Sequence, residues 1–213
     1  MMKILRTIGA WAALRWRKVR GWGAGPGSLA VLLAGMGLGA VAFASVGSFM
    51  VYANSEAFCA NSCHEMTQLQ KEHKGSAHDA NRSGVRATCN DCHVPHEYVP
   101  NYLAKLGLFA DYWGHFVTGS IATPEKFEAR RYLLARRVWT YMKETDSREC
   151  RHCHTTSKMD PDKQSEKAIR RHEKARAAGL TCIECHFAIT HKEPEGPGPQ
   201  ELFSKEPLKQ VAR

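Results

Sequence analysis

The sequence predicts a mainly α protein: a single N-terminal transmembrane helix followed by a compact helical domain with little regular sheet. Three observations lead there: an apolar run from Ser28 to Tyr52 with no charged side chain, eight cysteines that fall into four close pairs, and a polar remainder poor in long apolar runs. A chain of 213 residues has room for one domain and a span. The division expected is a basic segment at 1–27, the span at 28–52, a folded domain at 53–193 and a flexible tail at 194–213.

The run from Ser28 to Tyr52 is rich in Leu, Val, Ala, Gly, Met and Phe. At about 1.5 Å per residue it is long enough to cross a hydrocarbon core of roughly 30 Å. Arg15, Arg17, Lys18 and Arg20 precede it, with Trp16 and Trp22 among them, and no acidic residue occurs before Glu56. Basic flanks stay in the cytoplasm, so the N-terminus is expected inside and everything after Tyr52 outside, in a bacterial inner membrane. A cleaved signal peptide is the competing reading, with Ala40, Ala42 and Ala44 as its small residues. Gly35, Gly37, Gly39 and Gly47 allow close helix approach, which points to a homo-oligomer.

The second cysteine of every pair is followed by histidine: Cys59/Cys63-His64, Cys89/Cys92-His93, Cys150/Cys153-His154 and Cys182/Cys185-His186. Cys-x-x-Cys-His attaches c-type haem, two thioethers to the vinyls and the imidazole at the iron. A zinc site would not need a histidine after each pair, a disulfide framework gives those histidines no reason, and a thioredoxin-like motif would appear once beside a βαβ pattern. Four covalently attached c-type haems are therefore the expected cofactors, and the helical domain is a multihaem one. The first pair departs from the rule, because Ala60, Asn61 and Ser62 make its loop one residue longer.

Seven histidines lie outside the motifs: His73, His78, His96, His115, His152, His172 and His191. His152, between Cys150 and Cys153, reads as a solvated residue, and His73 and His115 as surface or quinone-contact residues. Met66 follows His64 by two, where a thioether is either a ligand that raises potential or a packing residue. His172 falls on a helix expected to start near Asp160-Pro161 and to stop at Gly179. A second helix is expected from Thr123, with Pro124 in its first turn and Phe127, Leu134, Val138 and Tyr141 along one stripe.

Several stretches make the likeness specific: Asn54-Ser-Glu-Ala-Phe-Cys59, Cys63-His-Glu-Met66, Asn81-Arg-Ser-Gly-Val-Arg-Ala-Thr-Cys89, Cys92-His-Val-Pro95, Thr123-Pro-Glu-Lys-Phe-Glu-Ala-Arg130, Asp146-Ser-Arg-Glu-Cys150 and Leu180-Thr-Cys-Ile-Glu-Cys-His186. Across residues from about 25 to 192 the chain resembles the NapC/NirT family of membrane tetrahaem quinol dehydrogenases. The resemblance implies His78 as distal ligand to the third haem (His154), His172 to the fourth (His186) and His191 to the second (His93). For the first haem it implies either Met66, with Asp111 near the open face, or a bis-histidine iron that would suit His96. It also puts Lys105 and Asp111 in the quinol site. Their spacing of six sets them on opposed sides of an ideal helix and so calls for a break between them.

Four haems in about 130 residues must lie close together, and close cofactors move electrons, the protein positioning and tuning them. The first motif begins seven residues after Tyr52, near the membrane boundary, where electrons are expected to arrive. By resemblance the donor is ubiquinol or menaquinol and the acceptor a periplasmic reductase, above all nitrate reductase. Two other readings stand beside it: a terminal multihaem enzyme that reduces a small molecule at an open iron, and a carrier running in reverse, into quinone. The net charge of +9 is no argument for nucleic acid, since six basic residues precede residue 21 and haem propionates, about two per haem, would offset others. Past His191, Glu-Pro-Glu-Gly-Pro-Gly-Pro reads as an extended tail.

Overall fold

The computed structural model describes residues 26–205, so the basic flank of the span lies outside the described residues. Among those residues there are helices and no strand, and the chain divides into two compact units, one ending at Val51 and one starting at Tyr52.

Helix α1, Pro26–Ala53, covers the predicted span and extends it slightly at each end. It is long and apolar enough to cross a membrane, and side chains such as Leu32, Leu38, Phe43 and Val51 stand exposed along it. An apolar surface of this length in water is unfavourable, whereas in lipid it is the solvated state.

The second unit is built from short helices, several of which carry the cysteine pairs. α2 (Glu56–Asn61) starts at Ser55, whose hydroxyl accepts from Phe58 N at 3.1 Å. α3 is Met66–His73, α4 Cys89–His93, α5 Tyr98–Leu106 and α6 Leu108–Tyr112, followed by a π turn at Trp113–Val117. The long helix α7, Pro124–Glu144, begins where Thr123-Pro124 predicts it, with Thr123 Oγ1 accepting from Lys126 N. α8 is Arg148–Cys153, α9 Glu166–Ala177, α10 Cys182–Cys185 and α11 Pro199–Lys205.

The helix that carries His172 starts later than its sequence signals suggest. Asp160 Oδ1 does accept from Asp162 N at 3.0 Å, but it caps only a 3₁₀ turn at Pro161–Lys163. The α-helix waits for Ser165, whose hydroxyl accepts from Ala168 N at 3.2 Å, and the chain then turns at Gly179 with φ +65°. A chain leaving Asp160 has two caps available in close succession, and the second is followed by helix formers from Glu166 onward.

The hydrophobic core is small and sits where α7, α10 and α11 meet: Trp139, Met142, Ile183 and Leu202, with Tyr132, Val138, Tyr141 and Phe187 packed around them. Trp139 meets Tyr132 and Phe187 edge-on at 6.1 and 5.8 Å. Among the described residues eight apolar side chains other than prolines are buried, two of them alanines, which is too few to hold a domain of this length by themselves. A domain folded around large bound groups shows this deficit.

The end of the chain differs from the expected flexible tail at 194–213. Within it α11 forms, Leu202 is 1% exposed, and Pro199 is fully buried. The Pro/Gly composition that reads as a linker serves close packing here. Gly196 has φ +144°, and a Cβ there would lie 2.5 Å from the Tyr132 ring, while Tyr132 Oη donates to Pro197 O at 3.1 Å. Gly196→Ala should therefore cost about 1–3 kcal/mol through overpacking and backbone strain, read as a lowered thermal midpoint of the detergent-purified protein. An unchanged midpoint would mean that the segment is not packed on α7.

Candidate functional site

Each cysteine pair is presented by a short helical turn, and two of the turns are built the same way. Thr88-Cys-x-Asp91-Cys-His and Thr181-Cys-x-Glu184-Cys-His are capping boxes: the acid accepts from the threonine's backbone N–H, at 2.7 Å for Asp91 and 2.8 Å for Glu184. The box fixes a helical turn so short that it would not form alone, and both cysteines leave it together. The third turn, α8, follows Ser147, which is fully buried in the left-handed region at φ 49°. Its hydroxyl meets Thr181 Oγ1 at 2.8 Å and accepts from Ile183 N at 3.2 Å, tying the third turn to the fourth. At the first pair the extra residue is absorbed between helices: α2 closes with Ser62 N donating to Phe58 O, and Cys63 O then accepts from Met66 N at the start of α3.

The four turns follow one another in space in chain order. α2 packs on α4 and α4 on α8, while Ser147 joins α8 to α10. The thiols sense each other in the same series, Cys59 acting on Cys89, Cys150 on Cys92 and Cys182 on Cys150.

Each motif histidine is reached by solvent and has a second histidine beside it. Ring centroids are 6.2 Å apart for His78 and His154, 6.1 Å for His93 and His191, and 6.1 Å for His172 and His186. An imidazole nitrogen binds a metal at about 2 Å and sits about 1.1 Å from its ring centroid, so two imidazoles on opposite sides of one metal stand about 6.2 Å apart. The residues present thus fit a haem iron between each of these pairs. His172 Nδ1 is held by Gln164 Oε1 at 2.8 Å, which leaves Nε2 for a metal. His78 Nδ1 and His191 Nδ1 are buried without a hydrogen-bond partner. Burial pushes both histidines below their ordinary pKa and keeps them neutral, the form that binds metal. Surrounding protein pushes His93 down to about 4.

The other histidines are placed differently. His73 is buried, with Nε2 3.0 Å from Ala87 O, and braces the loop before Cys89. His96 stacks face to face on His152, 3.8 Å between centroids at 9°. The ring partner of His64 is His115, at 5.2 Å and 71°, and not His96. Met66 opens α3.

Between Lys105 and Asp111 the helix is interrupted at one residue: α5 ends at Leu106 and α6 begins at Leu108, while Gly107 keeps helical dihedrals of φ −61° and ψ −25°, so the irregularity is smaller than the expected break. Lys105 Nζ donates to Ala53 O at 2.6 Å; burial lowers its pKa, and Cys59 opposes the shift. Asp111 is accessible, yet protein crowding raises its pKa, with Arg137 pulling it down and Glu65 adding to the rise. Burial raises both thiols of the first pair; Lys105 opposes the rise at Cys59, and Glu65 and Asp111 add to it at Cys63, so both Lys105 and Asp111 stand near that pair. Beside them Leu103, Leu106, Phe109, Trp113 and Phe116 form an exposed apolar surface.

Sequence reasoning missed the residues that hold these groups. Glu72 accepts from Lys192 N at 2.9 Å, next to His191, and from Arg131 Nη2 at 2.7 Å, whose guanidinium also grips Glu128. Arg131 lies on the buried side of α7, three residues before Leu134, and reads from sequence as one more surface charge. A buried arginine beside an acidic residue far away in the chain leaves no local signal.

The family model described as "NapC/NirT cytochrome c family, N-terminal region" matches residues 24–196. The denitrification system component NirT of Stutzerimonas stutzeri is 46% identical over 167 residues, 78% of this chain and 82% of that protein. The cytochrome c-type protein NapC of Escherichia coli K12 is 44% identical over 178 residues, 82% of this chain and 88% of its own. A putative tetraheme cytochrome-c type protein of Allochromatium vinosum is 49% identical over 144 residues, 68% of this chain and 77% of its own. No solved structure matches. The family match runs from the span through all four cysteine pairs to His191, and the chain belongs to the NapC/NirT cytochrome c family.

Proposed function

We propose that the protein is a membrane-anchored tetrahaem cytochrome that oxidises quinol and passes the electrons to a periplasmic reductase, with nitrate reductase the favoured partner. The observation that carries this reading is the serial packing of the four attachment turns, which makes one path from the first pair to the fourth. A c-type haem supplies reversible one-electron transfer at its iron. On this reading Cys59/Cys63, Cys89/Cys92, Cys150/Cys153 and Cys182/Cys185 hold four of them. His154 with His78, His93 with His191 and His186 with His172 would bind the iron of three of them.

Oxidising a quinol also releases two protons, so the first haem needs a group that binds a quinol oxygen and one that takes a proton. Lys105 offers the first through its ammonium, and Asp111 the second through a carboxylate whose raised pKa makes it a stronger base. The apolar side chains around them suit a lipid-soluble substrate. The name of the Stutzerimonas relative supports nitrogen-oxide respiration as the setting. The basic flank at Arg15–Arg20 supports an N-terminus in the cytoplasm and a second unit in the periplasm.

A carrier and a terminal enzyme differ in how the reduced protein is reoxidised. Protein reduced anaerobically should stay reduced with nitrate or nitrite alone and should be reoxidised on adding periplasmic nitrate reductase with nitrate. Reoxidation by the small molecule alone would make it a terminal enzyme.

A further inference from the structure

We propose that His115 is the second axial ligand of the first haem iron, in place of Met66 or His96; this rests on the reading above that Cys59, Cys63 and His64 hold a haem. Three motif histidines each face a second histidine from another part of the chain, and His115 completes the series by facing His64. Its ring centroid is 5.2 Å from that of His64, the closest of the four pairs, and its ring is partly exposed at the protein surface. Iron between the two imidazoles would hold their centroids about 6.2 Å apart, about 1 Å farther than in this structure.

The support behind His115 is that of a metal ligand. Its Nδ1 is hydrogen-bonded to the carboxylate of Glu65, a side chain 6% exposed, so Nε2 is the nitrogen left for iron. A carboxylate on the far nitrogen fixes the tautomer and raises the basicity of a ligating imidazole. The ligand atoms of His64, Glu65 and His115 all lie within 4.8 Å of one another. His115 also sits in the π turn at Trp113–Val117, an irregularity that recurs at functional sites and swings its side chain out of the register of α6.

The two alternatives are disfavoured on geometry. His96 is stacked on His152, a residue of the third attachment turn. Met66 follows His64 by two residues, and so short a link keeps both side chains on one face of a porphyrin. Met66 can therefore displace His64 but cannot stand opposite it.

The test uses full-length, detergent-purified protein, with haem number read by mass and ligation by absorbance and electron paramagnetic resonance. The wild type should carry four haems, show no sulfur-to-iron charge-transfer band and bind no carbon monoxide at the first haem when reduced. His115→Ala should keep four haems while one of the four becomes high-spin and binds carbon monoxide, and added imidazole should restore the low-spin form. His115→Met should remain low-spin and gain the charge-transfer band, which keeps the proposal testable if the alanine variant does not accumulate. Met66→Leu and His96→Ala should leave the spectra as they are. An unchanged His115→Ala spectrum, a wild-type charge-transfer band lost in Met66→Leu, or a high-spin haem created by His96→Ala would overturn the assignment while leaving the tetrahaem reading intact. Fewer than four haems in the wild type would overturn that reading itself.

Discussion

Lys105→Ala and Asp111→Ala each slow the reduction of the haems by quinol by about 10²–10⁴-fold, the range over which a positioned acid or base acts. Haem content should not change, because neither residue belongs to an attachment turn. The physical basis is the placement of both beside the first cysteine pair. Asp111 must be ionised to take a proton, and crowding lifts its pKa. The rate in the wild type should therefore fall with decreasing pH before an ordinary carboxylate would titrate, and Asp111→Ala should abolish that fall. Anaerobic stopped-flow absorbance across pH checks both statements. A variant that reduces at the wild-type rate would exclude its residue from the quinol site.

Removing the third attachment pair, as Cys150→Ser with Cys153→Ser, should lower the haem count from four to three and stop onward transfer to the reductase, while quinol still reduces the first two haems. The expectation follows from the serial order of the turns, in which α8 lies between α4 and α10. Haem content by mass, the amplitude of reduction by quinol and the rate of reoxidation by the reductase separate the steps. Reoxidation at the wild-type rate would mean that electrons leave before the third haem. The substitution leaves Ser147, and with it the contact to Thr181, in place.

The sequence shows its cofactor chemistry more plainly than its packing. Cys-x-x-Cys-His is a local code, and so are Thr123-Pro124 at the start of α7 and the charge-free run of α1, because each depends on residues within a few turns. The pairing of His78 with His154 or His191 with His93 is not local, and only the likeness to a family pointed to it. The stripe on α7 shows the limit of periodicity. Phe127 is buried as its spacing suggests, but Trp139 and Met142 form the centre of the core, because α10 and α11 decide which side of the helix is covered. Composition misled at Glu193–Pro199, where Gly196 is required by the Tyr132 ring and not by flexibility. The Glu72–Arg131 pair and the His96–His152 stack join residues far apart in the chain, so no window of sequence contains them.

The central claim is that electrons from quinol come in beside the first cysteine pair and pass along four haems. Mixing the oxidised, detergent-purified protein anaerobically with reduced ubiquinol or menaquinol analogues in a stopped-flow instrument, and following the haem bands, tests it most directly. Rapid reduction by at least one of the two quinols is expected, slowed in Lys105→Ala and Asp111→Ala; no reduction by either quinol in the wild type would contradict electron entry from quinol.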